Sequence, residues 1–171
     1  MLKAGVTCIA QEWGHYSPDL WCRFTRAVCG RHPIDRLSSD FLHAQENGRF
    51  PAELTFHDWA WEERPGLDTT LFLDQLGKGA PATALDELQD FHVIIVLEQY
   101  AETFDRMKRF GWNSSDPEKH FKSWTARRKT SGREALAPHP HVIRRLSERC
   151  AADIQVYERA VELALGIKLP A

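Results

Sequence analysis

Apolar and polar positions along this chain recur in two rhythms. Phe24, Arg26 and Val28 alternate with Thr25, Ala27 and Cys29, a period of two that predicts a partly buried strand. A sharp turn, Gly30-Arg31-His32-Pro33, follows it. Ile34, Leu37, Phe41 and Ala44 then return at steps of three and four, one apolar face of a helix. Pro33 suits the first helical position, where a missing N–H costs nothing. The continuous β-branched run Phe91–Leu97 predicts a strand buried on both faces. Ala101–Phe110 reads as a helix, with Tyr100, Phe104 and Met107 on one face and Glu102–Arg106 and Asp105–Arg109 as i,i+4 pairs. Val142, Leu146, Cys150, Ile154, Tyr157, Val161 and Leu165 form a stripe that predicts one long helix, His141–Leu165, closed by Gly166 and Pro170. Val6–Ala10 reads as a further short strand. Glycine and proline interrupt Asn47–Asp90, leaving Thr69–Leu76 and Thr83–Leu88 as its expected helices. Asn113–His141 reads as a loop with room for one short helix.

A length of 171 residues is within reach of one domain. With 43% hydrophobic and 27% charged residues, the composition is that of a globular chain and excludes a disordered one. A net charge of −2 gives no general attraction to nucleic acid or to a membrane surface. No apolar run approaches the roughly 20 residues of a membrane span, and no signal-peptide pattern opens the sequence. Cys8, Cys22, Cys29 and Cys150 lack paired-ligand spacing and are expected to be reduced. His139 and His141 supply two potential ligands without a second pair, so no metal is expected. Leu76-Gly77-Lys78-Gly79 lacks the flanking pattern of a phosphate loop.

The chemistry concentrates around the first turn. Arg31 ends the strand and Ser39 lies about two turns into the helix. A helix start after a strand favours anions through its free N–H groups and positive dipole end. A guanidinium and a hydroxyl converging there suit a phosphate. Glu12 and His15 leave the end of the Val6–Ala10 strand, where parallel α/β sheets place ligands. Lys119, Lys122, Arg127, Arg128, Lys129 and Arg133 make the later loop locally basic.

Arg31-His32-Pro33-Ile34-Asp35-Arg36-Leu37-Ser38-Ser39 resembles the 3′-phosphate motif Arg-x-Pro-x-x-Arg-x-x-Ser of the sulfotransferases that use 3′-phosphoadenosine 5′-phosphosulfate (PAPS), above all the carbohydrate, Golgi-type members. His32 departs from the acidic residue often found there. FHVIIVLEQYAETFDRMKRFGW, residues 91–112, resembles a second segment of that family, and DIQVYERA, residues 153–160, the end of its domain. The likeness covers roughly residues 6–46 and 91–165. It implies a three-layer α/β domain of the P-loop-NTPase-like sulfotransferase kind, with a short, mainly parallel sheet flanked by helices. It also implies sulfuryl transfer from PAPS to an acceptor hydroxyl, on a carbohydrate, without a metal.

By the same resemblance Arg31 and Ser39 hold the donor's 3′-phosphate, with Arg26 and Arg36 as further candidates. Arg127, Arg128 and Lys129 lie over its phosphates, and Glu12, or else His15, takes the acceptor proton. In the family a lysine-bearing 5′-phosphosulfate loop comes before the strand that matches Val6–Ala10, where this sequence has five residues. A partial, N-terminally truncated or divergent domain of low activity is therefore expected. The alternatives are a non-catalytic nucleotide- or protein-binding remnant, a helical adaptor using the C-terminal stripe, and a nucleotide kinase. The lack of a Gly-Lys-Ser/Thr loop opposes the last.

Overall fold

The computed structural model describes residues 26–62, 73, 76, 80–109 and 131–166. Within them the chain runs β1 (Ala27–Gly30), α1 (Pro33–Glu46), α2 (Phe56–Trp61), α3 (Pro81–Gln89), β2 (Val93–Val96), α4 (Tyr100–Lys108), α5 (Gly132–Leu136), α6 (Pro140–Arg149) and α7 (Ala151–Leu165). The architecture is α/β and mostly helical, with a short parallel sheet of two strands among the described residues. Ala27 pairs with Val93 and Gly30 with Val96, so both strands end at the same level.

All four residues of β2 are buried, as its unbroken apolar run predicts. Ile94 and Val96 face Val156, Ala160 and Ala164 of α7 and Ala84 and Leu88 of α3. Val93 and Ile95 face the opposite way, against Phe104 and Tyr100 of α4. The two aromatic rings of α4 stack at 4.9 Å. Thr103 fastens α4 to the strand end: its hydroxyl accepts from the Val96 N–H at 3.0 Å and donates to the Gln99 carbonyl at 2.9 Å. Arg106 does not pair with Glu102. It donates instead to the Leu163 carbonyl at 3.3 Å, because a surface i,i+4 pair holds a long side chain by only ~0.2–0.5 kcal/mol.

A second core lies beyond the sheet. Ile34, Leu37, Phe41 and Ala44 of α1, the face expected from their spacing, pack with Trp59 and Ala60 of α2, Leu136 of α5 and Val142 and Leu146 of α6. Pro33 opens α1 as expected. Gly132 lets α5 lie close on α1, because a Cβ there would stand 2.6 Å from Ser38 Cβ and 2.8 Å from the Ile34 carbonyl.

The expected single helix His141–Leu165 is two helices, broken at Cys150. The stripe serves two cores in succession: Val142, Leu146 and Cys150 bury against α1 and α2, and Val156, Tyr157, Ala160 and Val161 against the sheet. A straight helix cannot present one continuous face to both. Gly166 closes α7 in a left-handed conformation, φ +71°, as expected. Thr83–Leu88 is helical within the longer α3. Of Thr69–Leu76, Leu73 and Leu76 are described; both are helical and buried. Cys29 and Cys150 carry free thiols. The Val6–Ala10 strand, Cys8, Cys22 and Gly77–Gly79 lie outside the described residues. Among those described, no helix is long and apolar enough to cross a membrane.

Candidate functional site

Because β1 and β2 are parallel and in register, the turns leaving their carboxyl ends lie side by side. Arg31 and His32 leave β1; Leu97, Glu98 and Gln99 leave β2 as one 3₁₀ turn. The carboxylate of Glu98 joins the two. Its Oε1 accepts from the His32 backbone N–H at 2.8 Å, and its Oε2 from the Tyr157 hydroxyl of α7 at 3.0 Å. The imidazole of His32 meets the Tyr157 ring edge-on at 5.3 Å. Burial, reinforced by Glu98, raises the Tyr157 hydroxyl above its ordinary range, so it remains a donor. Desolvation of the sulfur and then the Glu98 charge likewise push the Cys29 thiol up to about 11, although the residue as a whole is exposed.

Beside this clamp, the Arg31 guanidinium donates through Nη1 to the Ser39 hydroxyl at 2.5 Å. Both side chains are half-buried, and the guanidinium has five N–H donors in all. The two residues singled out from the motif therefore stand together, at the carboxyl end of a parallel strand.

The helix start itself differs from the expectation of open N–H groups. His32 caps α1, its Nδ1 accepting from the Ile34 N–H at 3.3 Å. Asp35 places a carboxylate in the first turn, where it complements the helix dipole. Asp35 is 1% exposed and is gripped by Arg133, through the backbone N–H at 2.9 Å, Nε at 3.0 Å and Nη2 at 2.8 Å. An anion here would meet the Arg31 side chain rather than an uncapped helix end.

Two further arginine candidates are not brought to the site. Arg26 precedes β1 at the opposite end of the sheet and reaches Asp90 at 3.5 Å. The four residues of β1 separate it from Arg31, about 16 Å over the five steps at the usual rise. Arg36 turns along α1 to Asp40 at 3.0 Å. Glu12, His15, Arg127, Arg128 and Lys129 lie outside the described residues. His57, His139 and His141 do cluster, with ring centroids 4.1 to 6.3 Å apart. No group of three metal-ligating side chains that could hold an ion occurs among the described residues.

Sequence reasoning did not single out Glu98, Tyr157 or Asp35 as site residues. The available signal was a hydroxyl on the apolar stripe of α7 and a carboxylate directly after an apolar strand.

His32 gives the turn a pH dependence. Burial first, then the Arg133 charge, lower its pKa from 6.5 to about 4, with Asp35 opposing. The folded state thus keeps a neutral ring and its Nδ1 acceptor. As pH falls below about 6.5 the unfolded chain takes up the proton first, so stability falls between about pH 6.5 and pH 4. Asparagine retains a capping oxygen without titrating. His32→Asn should therefore flatten the decline in the urea midpoint measured from pH 7 to pH 4.5. An unchanged slope would show that His32 does not contribute to it.

No protein-family model, curated protein or solved structure matches the chain.

Proposed function

We propose that this is a sulfotransferase-like protein whose Arg31 and Ser39 hold the 3′-phosphate of PAPS, with a carbohydrate hydroxyl as acceptor. The observation that carries the reading is the Arg31–Ser39 contact at the carboxyl end of β1. Helices on both faces of a parallel sheet, in the order the resemblance implies, support it.

The residues present fit such a group. Arg31 has donors beyond the one given to Ser39, and Ser39 can turn its hydroxyl to a phosphate oxygen. The clamp of Glu98 on His32 and Tyr157 holds the intervening backbone, which pre-organises Arg31 and limits the entropy lost on binding. PAPS supplies the transferable sulfuryl group. The acceptor hydroxyl loses its proton to a base, Glu12 or His15 in this reading, as its oxygen bonds to sulfur. The sulfur–oxygen bond to the nucleotide breaks, and adenosine 3′,5′-bisphosphate leaves.

Calorimetric titration with adenosine 3′,5′-bisphosphate tests the site. Removing a charged donor costs about 1.5–3 kcal/mol, so Arg31→Ala should bind about ten- to a hundredfold more weakly. Equal binding by Arg31→Ala and the parent, or no binding by the folded parent, would overturn the reading.

A second reading, a binding module without transfer, is favoured by the capped start of α1, where His32 and Asp35 already serve the helix end. Bisphosphate binding without sulfate transfer from PAPS would select it.

A further inference from the structure

The Arg31–Ser39 contact has a second guanidinium as its neighbour. Asp35 and Ser39 stand four residues apart on α1 and share a face. Arg31 reaches Ser39 through Nη1, and Arg133 holds Asp35 one turn earlier through Nε and Nη2. The acceptors that anchor the two guanidiniums are therefore about 6 Å apart along the helix axis. One phosphate spans such a distance, with a hydrogen bond of about 2.8 Å on either side.

The packing of α5 decides where Arg133 stands. Gly132 lies so close to Ser38 and to the Ile34 carbonyl that a Cβ there would collide, which seats the next residue against the first turns of α1. Burial dominates the titration of the His32 ring and the Tyr157 hydroxyl, and the Arg133 charge acts on both. Arg133 thus lies toward the turn that carries Arg31.

Both arginines have donors to give. Nε and one N–H of Nη2 serve Asp35, which leaves Arg133 three of its five N–H groups without a partner among the described residues. Its side chain is 43% exposed, so solvent reaches it. Arg31 gives one N–H to Ser39, and among the described residues no unpartnered nitrogen of Arg31 is sealed from solvent. The neighbouring carboxylates are already engaged, Asp35 by Arg133 and Glu98 by the His32 N–H and the Tyr157 hydroxyl. Asp35 balances the charge of Arg133. What Arg133 adds is a planar fork of directed hydrogen bonds rather than net attraction.

We infer that Arg133 is a second phosphate-binding residue of this site, and that Arg31 and Arg133 together select a phosphate monoester over a diester. The inference rests on the bisphosphate reading above and names what recognises the 3′-group. A monoester offers three free oxygens and up to two negative charges, enough for both guanidiniums. A cyclic diester has one free oxygen fewer and a single charge.

The test is calorimetry of the full chain with two probes, adenosine 3′,5′-bisphosphate and the same nucleotide with its 3′-phosphate closed into a 2′,3′-cyclic diester. The parent should bind the bisphosphate about tenfold or more tightly than the cyclic form. Arg133→Lys keeps a cation beside Asp35 but loses the fork. It should weaken bisphosphate binding about tenfold and leave the cyclic form little changed. Asp35→Leu/Arg133→Met removes one charge of each sign, leaving the net charge as it was, and should show the same selective loss. Urea unfolding confirms that each variant is folded. Bisphosphate binding that depends on Arg31 but is unaltered in both Arg133 variants would overturn this inference alone. Equal weakening of the two probes would also overturn it, since a purely structural role predicts that result. Equal binding of the two probes by the parent would do the same. Failure of Arg31→Ala to weaken bisphosphate binding would overturn the underlying reading, and this inference with it.

Discussion

Arg133→Met should lower the free energy of unfolding by about 3–5 kcal/mol, although Arg133 itself is largely at the surface. The reason lies in its partner. Asp35 is 1% exposed, whereas the Arg133 side chain is 43% exposed. Removing the guanidinium strands a buried carboxylate with the Arg133 backbone N–H, at 2.9 Å, as its remaining hydrogen bond. A charge buried without compensation costs more than the pair ever contributed. The double variant Asp35→Leu/Arg133→Met should consequently recover most of the loss, since no charge then remains to be desolvated. Urea unfolding of the two single variants and the double variant measures this coupling directly. A loss below about 1 kcal/mol for Arg133→Met would mean that Asp35 is solvated when α5 loosens, against the packing described. The bisphosphate binding proposed at Arg31 should fall with stability, because Asp35 lies in the helical turn that follows the Arg31–His32 segment.

The second large effect is at Trp59. It is fully buried and stacks on Phe56 at 5.8 Å, with the Phe41 ring at 6.0 Å and the Arg149 Cζ over its own ring at 5.7 Å. Trp59→Ala leaves a cavity between α1, α2 and α6 and should cost about 3–5 kcal/mol. That is a large part of the ~5–15 kcal/mol that holds a domain together. Trp59→Phe should cost much less. It keeps most of the ring packing and removes an indole N–H that is buried without a hydrogen-bond partner. If the two variants unfold at the same urea concentration, the ring's packing is not what stabilises this core.

Local pattern was enough for the elements that bury one simple face. The apolar steps Ile34, Leu37, Phe41 and Ala44 mark the side of α1 that is buried, because helical periodicity is a property of the chain itself. The run Val93–Val96 marks a strand covered on both faces for the same reason. The proximity of Arg31 and Ser39 was legible too, since eight residues across a strand–turn–helix corner leave little freedom.

What sequence could not decide was everything joined across long separations. Asp35 meets Arg133 over 98 positions and Glu98 meets Tyr157 over 59, and nothing local distinguishes these carboxylates from solvated ones. The break at Cys150 arises because consecutive turns of one stripe face different cores, which periodicity alone cannot register. Trp61 and Trp59 of α2 meet Arg145 and Arg149 of α6 across more than eighty positions. Sequence determined the periodic faces and the Arg31–Ser39 corner. Tertiary packing decided which charges are buried and which are paired, because desolvation depends on neighbours that the chain brings from far away.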